Sequence, residues 1–211
     1  MKKITIKMMM AGAFLLAMTQ FANAQTKKTN FLGGSAGFSS SKDEAANEET
    51  SGYGVDLRFG HYIKEKLAIG VKLGYQGTKD ENTLAGAETT DKTTQFSVAP
   101  FVRLETPLWQ TKFSIYSDLG IYGAFGSDKT EAAGAETEYK TTGFGAFYEP
   151  GILFHIKDNI SLQASFGNLI GYDYTSGKAD GSDVKTTSNT FGVFGDQFGL
   201  DNFRFGINLK F

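Results

Sequence analysis

Seven charged residues stand inside otherwise apolar stretches of this chain: Asp56, Arg58, Lys72, Arg103, Asp118, Glu149 and Arg204. Each takes the polar position of an alternating run, as in Tyr53-Gly54-Val55-Asp56-Leu57-Arg58-Phe59. A period of two sends these charges to one face and the large apolar residues to the other. Charges enclosed on such a face must be paired, and three carboxylates against four cations can do so. That pairing is a structural use of the residues; a conducting path or an active site is the competing use. Acyl transfer or ester hydrolysis would need a hydroxyl nucleophile with a histidine base beside it, and the chain has two histidines, His61 and His155, each close to a short polar connector. Asp180-Gly181-Ser182-Asp183 lacks the full spacing of a calcium loop. No catalytic residue, cofactor or metal site is expected.

The elements that must position these charges are eight alternating runs. They are Phe31 to Phe38, Tyr53 to Phe59, Leu67 to Tyr75, Phe96 to Leu104, Phe113 to Phe125, Phe144 to Ile156, Ile160 to Tyr172 and Phe203 to Phe211. The apolar spacing is two and glycine recurs inside the runs, so none reads as a helix. Short connectors, Lys64-Glu65-Lys66, Glu105 to Thr111 and Lys157-Asp158-Asn159, alternate with long polar ones, Ser39 to Ser51, Gly77 to Lys92, Ser127 to Lys140, and a last beginning at Asp173. Strict alternation of short and long connectors with an even strand number predicts an all-β fold, an eight-stranded antiparallel up-and-down transmembrane β-barrel. Its interior should hold the seven charges with Gln95, Tyr116, Tyr122, Gln163, Asn208 and Lys210, and glycines between them.

Composition agrees. The 211 residues include 26 Gly and 14% aromatics but only 3 Pro, glycine well above its usual share of about 7%. Mean hydropathy is -0.25, which excludes a helical membrane protein but not a barrel, whose apolar residues hide at every second position. A net charge of -2 gives no support to nucleic-acid binding. Lys2, Lys3 and Lys7, the apolar run Met8 to Met18 and the small residues of Ala22-Asn23-Ala24 mark residues 1–24 as a cleaved secretory signal peptide. The barrel domain then spans 25–211, starting at Gln25. The absence of Cys excludes a disulfide scaffold and a lipid anchor on cysteine.

The last strand is the most distinctive. Phe203, Phe205, Ile207, Leu209 and Phe211 alternate with Arg204, Gly206, Asn208 and Lys210, and nine residues suffice for a tilted transmembrane strand of about 9–11. This ending resembles the C-terminal assembly signal of Gram-negative outer-membrane barrels. With Gly60 to Gly70, Pro100-Phe101-Val102-Arg103 and the terminal Phe, the mature chain resembles the small eight-stranded, porin-like outer-membrane β-barrels that include outer membrane protein X and the barrel domain of outer membrane protein A.

The resemblance implies a place in the Gram-negative outer membrane, both termini in the periplasm, and long loops outside. It implies outer-membrane lipid, lipopolysaccharide and the barrel assembly machinery as partners, with any extracellular ligand unspecified, and a monomer. Some such barrels modify lipid A at the outer rim, but His61 and His155 fall at the periplasmic ends of strands two and six. The expected role is therefore non-enzymatic, through extracellular loops or as an envelope component, with a small passive pore as the alternative. The outer loops read as acidic and hydroxyl-rich, with Asp43, Glu44, Asp80, Glu88, Asp128, Glu136 and Asp173 among their carboxylates. Ala85-Gly86-Ala87-Glu88-Thr89 recurs as Ala133-Gly134-Ala135-Glu136-Thr137, and the stretch Phe191 to Leu200 is too apolar for a solvated tip.

Overall fold

The computed structural model of the chain describes residues 30–43, 47–84, 87–132, 135–166, 170–179, 185–193 and 203–211. The leader expected over residues 1–24 and the start at Gln25 lie outside them. Ten antiparallel segments follow in order: β1 (Asn30–Asp43), β2 (Glu48–Lys64), β3 (Leu67–Leu84), β4 (Ala87–Pro107), β5 (Phe113–Ala132), β6 (Ala135–Lys157), β7 (Ile160–Phe166), β8 (Ile170–Ala179), β9 (Lys185–Val193) and β10 (Phe203–Lys210).

These close into a ring of eight wall positions. Strands β1 to β6 pair in sequence order, β6 then carries β7 on its short-turn half and β8 on its far half, and β10 closes the ring between β7 and β1. Strand β9 continues the wall beyond β8. At the closure the chain ends meet: Asn30 N donates to Phe211 O at 3.0 Å and Phe211 N to Asn30 O at 2.9 Å. Both described ends therefore lie at the end of the barrel that carries the turns at 65–66 and 158–159.

The wall has two faces, as the alternation requires. Leu57, Val102, Leu119, Ile121, Ile152 and Leu162 are exposed on the outside, whereas Phe31, Arg58, Arg103, Tyr116 and Glu149 are buried inside. A surface so apolar is stable facing lipid. The terminal strand obeys the same rule: Phe205, Ile207, Leu209 and Phe211 are exposed outward while Asn208 is buried. The side chain of Phe203 lies outside the described residues.

The long polar connectors differ from the expected loops. Most of each is strand: β3 runs on to Leu84 and β4 starts at Ala87, so they pair from Thr83↔Glu88 down through Lys79↔Lys92. Strands β5 and β6 pair in the same way up to Ala132↔Ala135. The described parts of the two repeats, Ala87 to Thr89 and Ala135 to Thr137, thus open β4 and β6 in the same way. Polar residues stand on both faces there, so no apolar period marks the segments, yet their threonines fit a pleated surface well. Asp173, expected at the start of a loop, sits inside β8, paired with Gly145. Phe191 is an exposed residue of β9, opposite Tyr172; residues 194–200 of the apolar stretch lie outside the described residues.

Glycine has a specific use inside. Phe31 is the cross-strand partner of Gly60, Phe101 of Gly70, Phe147 of Gly120, Tyr116 of Gly151 and Tyr122 of Gly145. In every case the aromatic ring lies where a side chain on the glycine would have to go. Rings laid flat on neighbouring glycines line the barrel without overfilling a bore just wide enough for side chains. Three of them, Phe31, Phe101 and Phe147, form one buried cluster with Ala68 and Ala99.

Candidate functional site

All seven charged residues singled out in the sequence converge within the lumen, and Arg58 is their hub. Its side chain is wholly buried: Nε donates to Asp56 Oδ1 at 2.7 Å, Nη1 to Asp118 Oδ2 at 3.1 Å and Nη2 to Glu149 Oε1 at 2.6 Å. These carboxylates come from β2, β5 and β6, so one guanidinium ties together strands on different sides of the bore. The planar fork of arginine suits this task, because its donors diverge in fixed directions.

Each carboxylate is held a second time. Asp118 accepts from Arg103 Nε and Nη2, both at 2.7 Å. Glu149 accepts from Lys72 Nζ at 3.0 Å, and Asp56 accepts from Ser35 and from Arg204 Nη1 at 3.2 Å. Aromatic faces complete the shell. The Arg103 guanidinium lies 4.6 Å from the Phe31 ring centre and 4.2 Å from that of Tyr116, and Lys72 Nζ lies 4.1 Å over Phe147. Such cation–π contacts offset part of the cost of taking the charges out of water. The network spans the bore by joining strands on its different sides directly.

Towards the short turns lies a second layer, in which Lys210 stands inside as expected and Glu105 is the member that the sequence did not reveal. Glu105, expected in a connector, belongs to β4 and is buried; it accepts from Lys210 Nζ at 3.0 Å and from the Tyr62 hydroxyl. Lys210 in turn sits 4.9 Å over the Tyr62 ring. The signal was available, since Glu105 is two residues beyond Arg103 on the same face of the same strand.

His155 bridges two serines, with Nε2 2.7 Å from Ser114 Oγ and Nδ1 2.8 Å from Ser161 Oγ. In a serine triad the carboxylate holds the imidazole nitrogen opposite the nucleophile. Here Glu105 is 3.8 Å from Nε2, the nitrogen already on Ser114, and both serines are buried. The arrangement joins β5, β6 and β7, with the carboxylate on the Ser114 side of the ring rather than opposite it. His61 Nδ1 meets Asn30 Oδ1 at 2.8 Å beside the chain closure.

On the other side of the Arg58 layer the lumen opens into a cavity of about 390 Å³. Lys72, Glu149 and Arg204 form its floor, Gln76, Gln95 and Asp173 its walls. Gln95, expected inside, is there, with its Oε1 accepting from Gln76 Nε2 at 2.8 Å. Gln163 and Asn208, also expected inside, are buried lower down and bonded to each other. Among the described residues no group of three or more His, Cys, Asp or Glu is arranged to hold a metal ion.

The structure can be set beside known proteins. Outer membrane protein OprG from Pseudomonas aeruginosa is similar at 14% identity and a TM-score of 0.50, over 88% of this chain and 97% of that one. Neisserial surface protein A is similar at 15% identity and 0.43, over 88% and 98%. The attachment invasion locus protein Ail of Yersinia pestis is similar at 16% and 0.43, over 88% and 100%. No curated protein matches the sequence. The model of the outer membrane protein β-barrel domain matches residues 9–211. With that match over nearly the whole chain, and a closed wall of eight positions with an apolar exterior, the chain belongs to the outer membrane protein β-barrel domain family, whose place is the Gram-negative outer membrane.

Proposed function

We propose that this barrel is a non-enzymatic envelope protein with a sealed lumen, acting through its outward hairpins or by its presence as a wall element of the membrane. The short-turn end, with both described chain ends, faces the periplasm, and the paired hairpins rise outside the cell. Short periplasmic turns and longer outer loops are the rule for such barrels. The observation that carries the reading is the crossing of the bore by Arg58, whose three carboxylate partners are each held a second time, by side chains of β1, β3, β4 and β10. A pore would have to break that layer. Its partners are outer-membrane lipid, lipopolysaccharide and the barrel assembly machinery, with the terminal strand Phe203 to Phe211 as the signal read during assembly, and it works as a monomer. The identity of any extracellular ligand is left to the hairpins.

A small passive pore is the second reading, and the cavity above Lys72 and Glu149 favours it. The hairpins provide the test. In cells lacking the gene, a chain with β3/β4 and β5/β6 cut back to the level of Gln76 and Gln95 should still insert but should not restore the lost envelope property. Full restoration by the trimmed barrel would contradict a role for the hairpins.

A further inference from the structure

The cavity on the hairpin side of the Arg58 layer has a charge pattern that neither the sealed lumen nor the wall requires. Two of its three carboxylates are committed, Asp56 to Arg58 and Arg204, and Glu149 to Arg58 and Lys72. Asp173, from β8, is half-buried in the same cavity, and among the described residues no cation pairs with it. Arg204 is the counterpart: its side chain is 28% exposed, and among the described residues its guanidinium is bonded only through Nη1, to Asp56. The other nitrogen, Nη2, lies over Gly54, where the missing side chain leaves room. An unpaired carboxylate in a partly enclosed polar cavity is costly unless a cation reaches it, and a guanidinium with spare donors is suited to a carboxylate.

We infer that this cavity binds a small zwitterion, an amino acid or short peptide, with its ammonium on Asp173 and its carboxylate on Arg204. A simple anion would meet the unpaired carboxylate, and a simple cation would meet Arg204 and Lys72. A divalent metal ion would find one free carboxylate where a hard cation takes six or more oxygens. A zwitterion satisfies both free groups at once, with Gln76 and Thr175 offering neutral hydrogen bonds from the walls. The volume of about 390 Å³ lies within the range of small-molecule sites, and the exposed Gln76 marks an approach from the hairpin side. The cavity ends on the Arg58 layer, so it receives a molecule without passing it on.

The test uses the folded full chain in lipid nanodiscs, with side-chain carboxyl and guanidinium signals followed by NMR during titration with glycylglycine, N-acetylglycylglycine and glycylglycine amide. Glycylglycine should shift Asp173 and Arg204 saturably. Each capped peptide should bind at least about tenfold more weakly, the factor expected for one lost charge-assisted contact. Asp173→Asn, nearly isosteric, should erase the preference for the free ammonium while leaving the preference for the free carboxylate. The inference is overturned by the absence of a saturable shift at the two residues, by equal binding of either capped peptide, or by an unchanged ammonium preference in Asp173→Asn. The capped peptides test the unmodified protein, so the result does not depend on the variant folding. Binding and conductance are read separately, so failure of the site leaves the sealed lumen standing, and the reverse.

Discussion

The two halves of the lumen use the same polar alternation to opposite ends. On the short-turn side, every wall position is paired to its neighbours around the ring, rings lie on glycines, and Arg58, Arg103, Asp118 and Glu149 are buried in mutual contact. On the hairpin side, β1 beyond Ala36 is paired only with β2 among the described residues, the charges are partly exposed, and a cavity remains. The lower half is a polar core held to one geometry by charges that cannot be left alone. The upper half is a solvated scaffold whose strands stay paired through backbone bonds and threonine-rich faces.

Breaking the lower network should have the largest effect. Glu149→Ala takes its carboxylate from Lys72 and one of three from Arg58, and removal of one partner from a buried ion pair costs about 3–5 kcal/mol. Denaturant unfolding in lipid vesicles should show that loss, and a change below about 1 kcal/mol would mean that water screens the layer. The lipid face comes next: Val71→Arg near mid-depth should cost about 2–4 kcal/mol, while Gln95→Arg in the cavity, where water is at hand, should cost far less. Equal costs would mean that the faces of β3 and β4 are misassigned.

Glycine sharpens the comparison at smaller scale. A methyl on Gly120 would collide with Phe147 and with the Pro100 carbonyl oxygen, so Gly120→Ala should destabilise by about 1–3 kcal/mol, the cost of overpacking. Gly123, three residues further along β5 and on the outward face beside Phe144, has nothing within 4 Å of such a methyl. Gly123→Ala should stabilise by about 0.4–1 kcal/mol through the unfolded chain. The same sign for both substitutions in unfolding titrations would show that the ring-on-glycine contacts do not matter.

The smallest effect belongs to the hairpin between β5 and β6. Lys129 Nζ lies 2.8 Å from Glu136 Oε1, and that lysine holds the Glu136 carboxyl below its ordinary value. A lowered folded value means that the pair's contribution is present at neutral pH and is lost as pH falls through that value. Both side chains are about half open to solvent, at 40% and 54% exposure, so solvent and salt screen the contact. Glu136→Gln should leave stability at neutral pH unresolved from the parent, and a clear loss would mean that the hairpin is more than a solvated ladder.

Much of this was legible from alternation. Asp56, Arg58, Lys72, Arg103, Asp118, Glu149 and Arg204 interrupt apolar runs at the polar beat, so their shared face followed from the chain. The partners of each did not follow, because shear between strands sets which carboxylate reaches Arg58. Glu105 escaped because Thr106 and Pro107 suggested a connector two residues early. The inward rings of Phe31, Phe101 and Phe147 escaped for a different reason: their glycines sit on neighbouring strands, and apolarity alone does not distinguish a ring facing lipid from one lying over a glycine. Asp173 escaped because the polar residues from Thr175 onward read as a connector, although Asp173 keeps the polar beat after Tyr172.

Electrical recording tests the sealed lumen most directly. Purified, folded protein inserted in a planar lipid bilayer should give no steady single-channel step in simple salt at neutral pH if, as proposed, Arg58 and its three carboxylates seal the bore between the Glu105 layer and the Lys72 cavity. A stable, reproducible open current from the unmutated chain would contradict the sealed lumen and make the barrel a pore.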